Sequence, residues 1–386
     1  MYRVGDLVYL TRHVAVNGGV QSGIQVFEYN AVTNTVLAQQ TLGGTADPNF
    51  NSFYPSIAAN ANGDFVIGYT RTGLVPGDPD TSRWFSSYAT VGNWNGSTLS
   101  FTSPIELHAG ERDYVSFDTS PKRWGDYSAT NLDPSDPGIF WTTQEYTSNI
   151  TTSGTTSVTN WATRATELIP TVSGEKRWSS ISATNARGIS GEFNTVANWY
   201  GGESPASTDH VIFSRNGNGT AAGGYTVTMP TGTTSIDRAS VRQGFVTWSM
   251  SGSTLNLTNG NVGTLSLAIA EYLGTANLTV SGGTLCTVTT TVGAGINSDA
   301  STNGIAGAFN ASNGALTITG PGSTWNNSGD VFVGGSSAAA GGQGAITVSA
   351  EGRVNVSGTT VLYNAAPGRP ANQLTATTAG WYTTGG

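Results

Sequence analysis

RWGDYSATNLDPSDPGIFWTTQEY, residues 123–146, sets two Asp-Pro steps between two runs of strand-like side chains. Asp before Pro opens a turn, because the ring fixes the backbone and the carboxylate bonds locally. The flanking runs are rich in β-branched and aromatic residues, as strands are, so the stretch reads as a β-hairpin. Its start recurs. KRWGDYSATN (122–131) returns as KRWSSISATN (176–185), with seven of ten positions identical and the chain's two lysines, Lys122 and Lys176, at the same place. IAAN (57–60), inside YPSIAANANGDFVIGYT (54–70), aligns with both SATN copies, the three starting 71 and then 54 residues apart. That spacing is the size of the four-stranded sheets that repeat around the axis of a β-propeller. LVYLTRHVAV, SGIQVFEYN and TVLAQQTL read as further strands, parted by NGG and NAVTN turns.

From about residue 188 the chemistry changes. Residues 188–386 carry only 13 charged side chains, and the turns become glycine-rich. One short strand recurs there: LNLTNG (255–260), LTVSGG (278–283), LTITGPG (316–322) and ITVSAEG (346–352), starting 23, 38 and 30 residues apart. Units this small cannot close a core alone and must stack on their neighbours. The sequence thus predicts an all-β chain, a partial β-propeller over 1–187 and a parallel β-solenoid (β-helix) over 188–386. Inward Val, Leu and Ile should alternate with outward Thr, Ser and Asn.

Composition agrees with many short strands: 52 of 386 residues are glycine and only 10% are charged. A net charge of −8 argues against nucleic acid or an anionic membrane as partner, since neither phosphate neutralisation nor a polybasic anchor is on offer. A neutral glycan or surface polymer suits such a chain better. Cys286 stands alone, which excludes an internal disulfide framework and a cysteine cage for a metal. Within LTVSGGTLCTVTTTV it is expected to be a small buried residue. No apolar run approaches transmembrane length. MYRVGDLVYLTRH has no signal-peptide core and reads as a strand in progress, so a piece of a longer exported protein, with earlier blades upstream, is expected.

YPSIAANANGDFVIGY, the opening stretch and WATRATEL (161–168) together make the first part resemble the end of a bacterial sialidase-like (BNR-type) propeller of secreted proteins. EFNTVANWYGGESPASTDHVIFS (192–214) resembles the short opening motif of the repeat arrays of autotransporter-type and PEP-CTERM-associated surface proteins, and ITGPGSTWNNSGDVFVGGSSAAAGGQGAITVSAEGRVNV (318–356) resembles the repeat itself. The resemblance implies an exported, cell-surface protein for display, adhesion or attachment to glycans. Two alternatives are a glycan-acting hydrolase of sialidase type and a carbohydrate-binding module. The Ser-x-Asp-x-Gly-x-x-Trp box of true sialidases does not occur in the sequence, which ranks the hydrolase second.

Several residues are candidates for chemistry. Trp124, in a loop with Arg123 and Asp126, can stack on a sugar while its neighbours bind hydroxyls; Trp141 and Trp161 have the same ring chemistry, with Trp141 expected in the core. Glu145 and Tyr146 are a carboxylate and a phenol of the sialidase kind, but adjacent strand residues face opposite ways. Arg71, Arg112, Arg123 and Arg164 could clamp a substrate carboxylate. Asp78 and Asp80 in GDPDTS, and Asp133 and Asp136 in DPSDPG, have oxygen ligands at spacings that calcium tolerates, although Asp-Pro turns need no metal. His13, His108 and His210 show no zinc spacing.

Overall fold

The computed structural model describes the chain apart from residues 74–83, 115–122, 150–159, 171–173, 180–187, 218–222, 260–264, 273, 295–311, 338–339, 365–369, 378–379 and 385–386. Among the described residues every regular element longer than a single turn is a strand. Two compact units form, one from Met1–Asp133 and Pro137–Pro170, the other from Pro134–Asp136, Thr171–Asn297 and Ile305–Gly386. The second unit thus takes in Trp178 and its neighbours, ahead of the expected join at 187.

In the first unit, β1 (Tyr2–Val4), β2 (Leu7–Val16), β3 (Gln21–Asn30) and β4 (Thr35–Leu42) make an antiparallel meander. A second antiparallel sheet holds β5 (Phe50–Ala59), β6 (Asp64–Gly73), β7 (Ser86–Trp94), β8 (Leu99–Phe101) and β9 (Ile105–His108). A third holds β10 (Ala129–Asp133), β11 (Asp136–Thr147) and β12 (Trp161–Leu168). The middle sheet is covered on both faces. Tyr9, Ile24 and Val26 of the first sheet pack on Ile57, Phe65, Ile67 and Tyr69. Ala58, Val66 and Ala89 meet Phe140 of the third. This two-sided burial explains why β6 reads DFVIGYTRTG, apolar on both parities for half its length, where a one-sided strand would alternate.

One side chain in this core is out of character. Glu28 is fully buried on the inward face of β3 with Ile24 and Val26, and neither of its carboxylate oxygens has a hydrogen-bond partner among the described residues. Burial pushes its pKa up to about 8.

The second unit opens with β13 (Glu175–Arg177), β14 (Gly191–Glu192), β15 (His210–Ser214), β16 (Gly224–Thr228) and β17 (Thr233–Ile236), all paired in parallel. Then β18 (Arg238–Ser249), β19 (Thr254–Leu257) and β20 (Leu265–Ile269) begin a three-strand rung. β21 (Gly274–Ser281), β22 (Thr284–Thr287) and β23 (Thr289–Val292) repeat it, as do β24 (Ser312–Thr319), β25 (Thr324–Asn327) and β26 (Val331–Val333). β27 (Gln343–Ser349), β28 (Arg353–Val356) and β29 (Thr360–Leu362) follow, then β30 (Gln373–Ala376) and β31 (Trp381–Thr384). Each strand pairs in parallel with its counterpart one rung on, giving the orders β18-β21-β24-β27-β30, β17-β19-β22-β25-β28-β31 and β18-β20-β23-β26-β29. The architecture is solenoid-like.

Inward side chains form columns: Val246, Leu278, Leu316 and Ile346 stack in register, and so do Leu255, Leu285, Trp325 and Val354. The expected alternation is therefore observed, with one correction of phase. LNLTNG does not precede LTVSGG in a column; Val246 of β18 does, and Leu255 belongs to the next sheet. Both strands alternate alike, so the pattern alone cannot tell which side of the bend each lies on. Cys286 is a second correction. It sits half-buried on the outward row between Asn256 and Asn326, while Leu285 takes the core.

The corner between the first and second strands of each rung needs left-handed backbone. Gly252, Gly282 and Gly322 supply it, but at the corresponding turn after β27 Ala350 (φ 46°) and Glu351 (φ 70°) adopt it. The lower end of the column is plugged by rings. Trp199 meets Trp178 and Phe193 edge-on, each at 5.1 Å between centroids, and Phe213 links Trp199 to Trp248. EFNTVANWYGG thus supplies two rings of the plug, Phe193 and Trp199.

Candidate carbohydrate-binding face

The segment 123–128 leads into β10 and lies over one face of the third sheet, so the fate of each side chain follows from which way the backbone turns. Trp124 points inward. It is 8% exposed, its Nε1 donates to Thr70 Oγ1 at 2.9 Å, and its ring meets Phe85 and Tyr114 edge-on at 4.7 and 4.8 Å. The indole offered as a sugar-stacking candidate is therefore packed inward, as is its duplicate Trp178, 1% exposed. Gly125 follows with φ 91°, and a Cβ there would lie 2.2 Å from the Tyr54 ring. Arg123 and Asp126 are exposed, flanking that pair.

Glu145 anchors the loop. Its Oε2 accepts from the Gly125 N–H at 2.7 Å. Burial raises its pKa, while hydrogen bonds from the Gly125 and Tyr127 backbone oppose the rise. The next residue faces the other way: the Tyr146 ring lies on His108, centroids 4.0 Å apart and planes at 25°. Glu145 and Tyr146 consequently serve different surroundings.

Beyond the anchored turn the chain delivers Tyr127 outward onto Trp161. Their rings stack at 4.7 Å and 18°, and they are 55% and 38% exposed. Trp161 lies opposite Thr147 across the β11–β12 ladder. Trp141 has the same parity as Thr147 on β11, so both indoles share a face of the sheet, about 20 Å apart for six strand residues. Trp141 is 42% exposed, contrary to the core position expected from GIFWTT, and its Nε1 donates to Asp133 Oδ2 at 3.1 Å. Thr163 and Glu167 stand on the same face, and Glu167 lies directly opposite Trp141. The result is a sheet face with two aromatic stations and hydroxyl and carboxylate groups near them. Sequence reasoning missed Tyr127. The only signal was its place two residues after a positive-φ glycine.

The remaining candidates disperse. Arg71 is buried, paired with Asp47, and lies over Phe50 at 3.5 Å and Tyr88 at 5.1 Å. Arg123 and Arg164 are exposed, and Arg112 is partly buried. Asp133 accepts from Trp141. Asp136, read as a calcium ligand on a turn, is instead fully buried, bonded to Arg177 and to Arg242 at 2.6 Å. That network continues to Glu271, held by Arg242, and to Glu175, 3.1 Å from Arg177. Burial alone would raise the Glu175 pKa, but the nearby His210 ring, 3.8 Å away, and the charges of Arg177 and Arg242 outweigh it and bring the value down to about 2. Burial lowers His210, whose Nε2 lies 2.8 Å from Ser240 Oγ. Among the described residues no three His, Cys, Asp or Glu side chains group as metal ligands. Asp78 and Asp80 lie outside the described residues.

No protein-family model, curated protein or solved structure matches the chain.

Proposed function

We propose that this chain is an exported, cell-surface-associated, non-catalytic attachment protein that holds neutral glycans on the aromatic face of its first unit. In this reading the first unit represents the terminal blades of a sialidase-like propeller, and the second is a parallel β-solenoid stalk of the autotransporter and PEP-CTERM-associated type. Three antiparallel sheets packed face to face support the first assignment, and three-strand rungs in parallel register support the second. The observation that carries the glycan reading is the exposed Tyr127–Trp161 stack, with Trp141 on the same sheet face. Flat aromatic faces suit the apolar faces of pyranoses, and exposed rings held on a rigid sheet bind with little ordering cost. The separation of Tyr146 from Glu145 argues against a sialidase-type reaction at that pair.

A glycan array probed with the whole chain tests this. Binding to neutral oligosaccharides should fall roughly tenfold or more in Trp161→Ala and in Trp141→Ala, with the melting temperature held. A chain that retains no neutral glycan, or binds equally well without both indoles, sinks the reading. Release of sugar from a reporter glycoside, abolished by Tyr146→Phe, would put the hydrolase first.

A further inference from the structure

The first sheet of the second unit carries a second surface, unrelated to the aromatic face. On its outward side Thr226, Thr247, Thr279, Thr317, Thr347 and Thr375 lie in register over six consecutive strands. Two residues further along each strand runs a parallel row, Thr228, Ser249, Ser281, Thr319 and Ser349. All these side chains are partly exposed, while the residue between each pair, such as Val280, Ile318 or Val348, is buried. Strand pairing sets the rungs about 4.8 Å apart and the two rows about 6.6 Å apart. One neighbouring pair lies close enough to bond, Ser349 Oγ and Thr319 Oγ1 at 3.0 Å.

We propose that this face binds ice, taking the ordered water lattice itself as its ligand. A pocket recognises a discrete molecule by converging groups from different directions, whereas these groups repeat by translation in two directions and converge nowhere. The matching partner therefore repeats by translation too. The rows hold no charged residue, which fits an uncharged lattice. Each hydroxyl can take the place of a lattice water, and the threonine methyls between them limit competing hydration from liquid water. The rung spacing is close to the repeat between water oxygens along a face of hexagonal ice. A crystalline polysaccharide would call for ring faces to stack on its sugars, and neither row contains an aromatic residue. This surface is independent of the glycan reading, since it lies in the other unit and uses none of the same residues.

The test is partition of the whole chain into slowly growing ice, together with inhibition of ice recrystallisation. The wild-type chain should enter the ice and suppress recrystallisation. Thr279→Tyr with Thr317→Tyr, which interrupts the rows, should need roughly tenfold or more protein for the same effect. Asn326→Tyr, outward on a different sheet, should behave as wild type. If the tyrosine pair lowers the melting temperature, the single Thr317→Lys, whose flexible side chain leaves the strand undisturbed, carries the same expectation. Exclusion of the wild-type chain from ice, equal partition of the threonine variants, or retention on microcrystalline cellulose or chitin without retention in ice would each overturn the proposal.

Discussion

Glu28 lies directly across the β2–β3 ladder from Tyr9, and both side chains are buried in the same apolar core. A carboxylate there has lost its water and gained no donor among the described residues, so the fold favours the protonated form. Glu28 also helps to push the Tyr9 phenol well above its ordinary range, after burial itself.

The first prediction follows from the sign of that shift. Stability linked to Glu28 is complete below 4.5, its ordinary value, and is lost as pH rises through about 8. Urea unfolding of the wild-type chain should therefore show the first unit weakening between pH 5 and pH 8.5. Glu28→Gln should be flat over that window, and a wild-type chain that strengthens instead would contradict the assignment.

Gly125→Ala should destabilise the loop by about 1–2 kcal/mol, the usual cost of left-handed backbone at a residue with a Cβ, and the clash with Tyr54 adds to it. Displacing this backbone also pulls the residue 125 N–H away from Glu145, so Tyr127 should leave Trp161. A change in the near-ultraviolet dichroism of the stacked rings, paired with a fall in glycan binding, is the expected readout.

Trp199→Ala removes a buried ring that joins Trp178, Phe193 and Phe213. A loss of about 3–5 kcal/mol in the second unit is expected, measurable as a lower unfolding midpoint with the first unit's transition unmoved.

At the turn after β27, Glu351→Gly should stabilise the second unit by about 1 kcal/mol, because glycine takes φ 70° without strain. A lower melting temperature in that variant would show that the Glu351 side chain makes a contact worth more than the strain.

Asp136→Asn leaves Arg177 and Arg242 buried with less negative charge around them. The cost of breaking a buried pair is about 3–5 kcal/mol. The same network fixes an acid limit. With Glu175 held down to about 2, its stabilising contribution is present above 4.5 and lost as pH falls through about 2. His210, also lowered, acts in the same direction. Acid titration of Asp136→Asn should show unfolding at a higher pH than in the wild type.

Much of this fold was legible because alternation and turn chemistry are local. The hairpins over 54–70 and 126–146 and the inward and outward positions of LTVS, LTIT and ITVS follow from the pleat alone. What was not legible depends on which layer covers which face. Trp141 leaves its expected place in the core because the middle sheet lies against one face of the third, while the indole stands 42% exposed on the other. Cys286 turns outward for the same kind of reason: one residue of register decides its face, and its apolar character does not. The partners of Asp136 lie 41 and 106 residues away, beyond the reach of any local pattern.

The parallel rungs also have a mechanical consequence. Hydrogen bonds between neighbouring rungs point along the stack, and across each gap between full rungs three sheets hold their bonds side by side. Tension applied along that direction is divided among all of them, so the stack resists extension until one gap fails as a whole. The released rung then pays out its chain before the next gap takes the strain. Under steady pulling the second unit should lengthen in discrete steps, each the contour length of one rung.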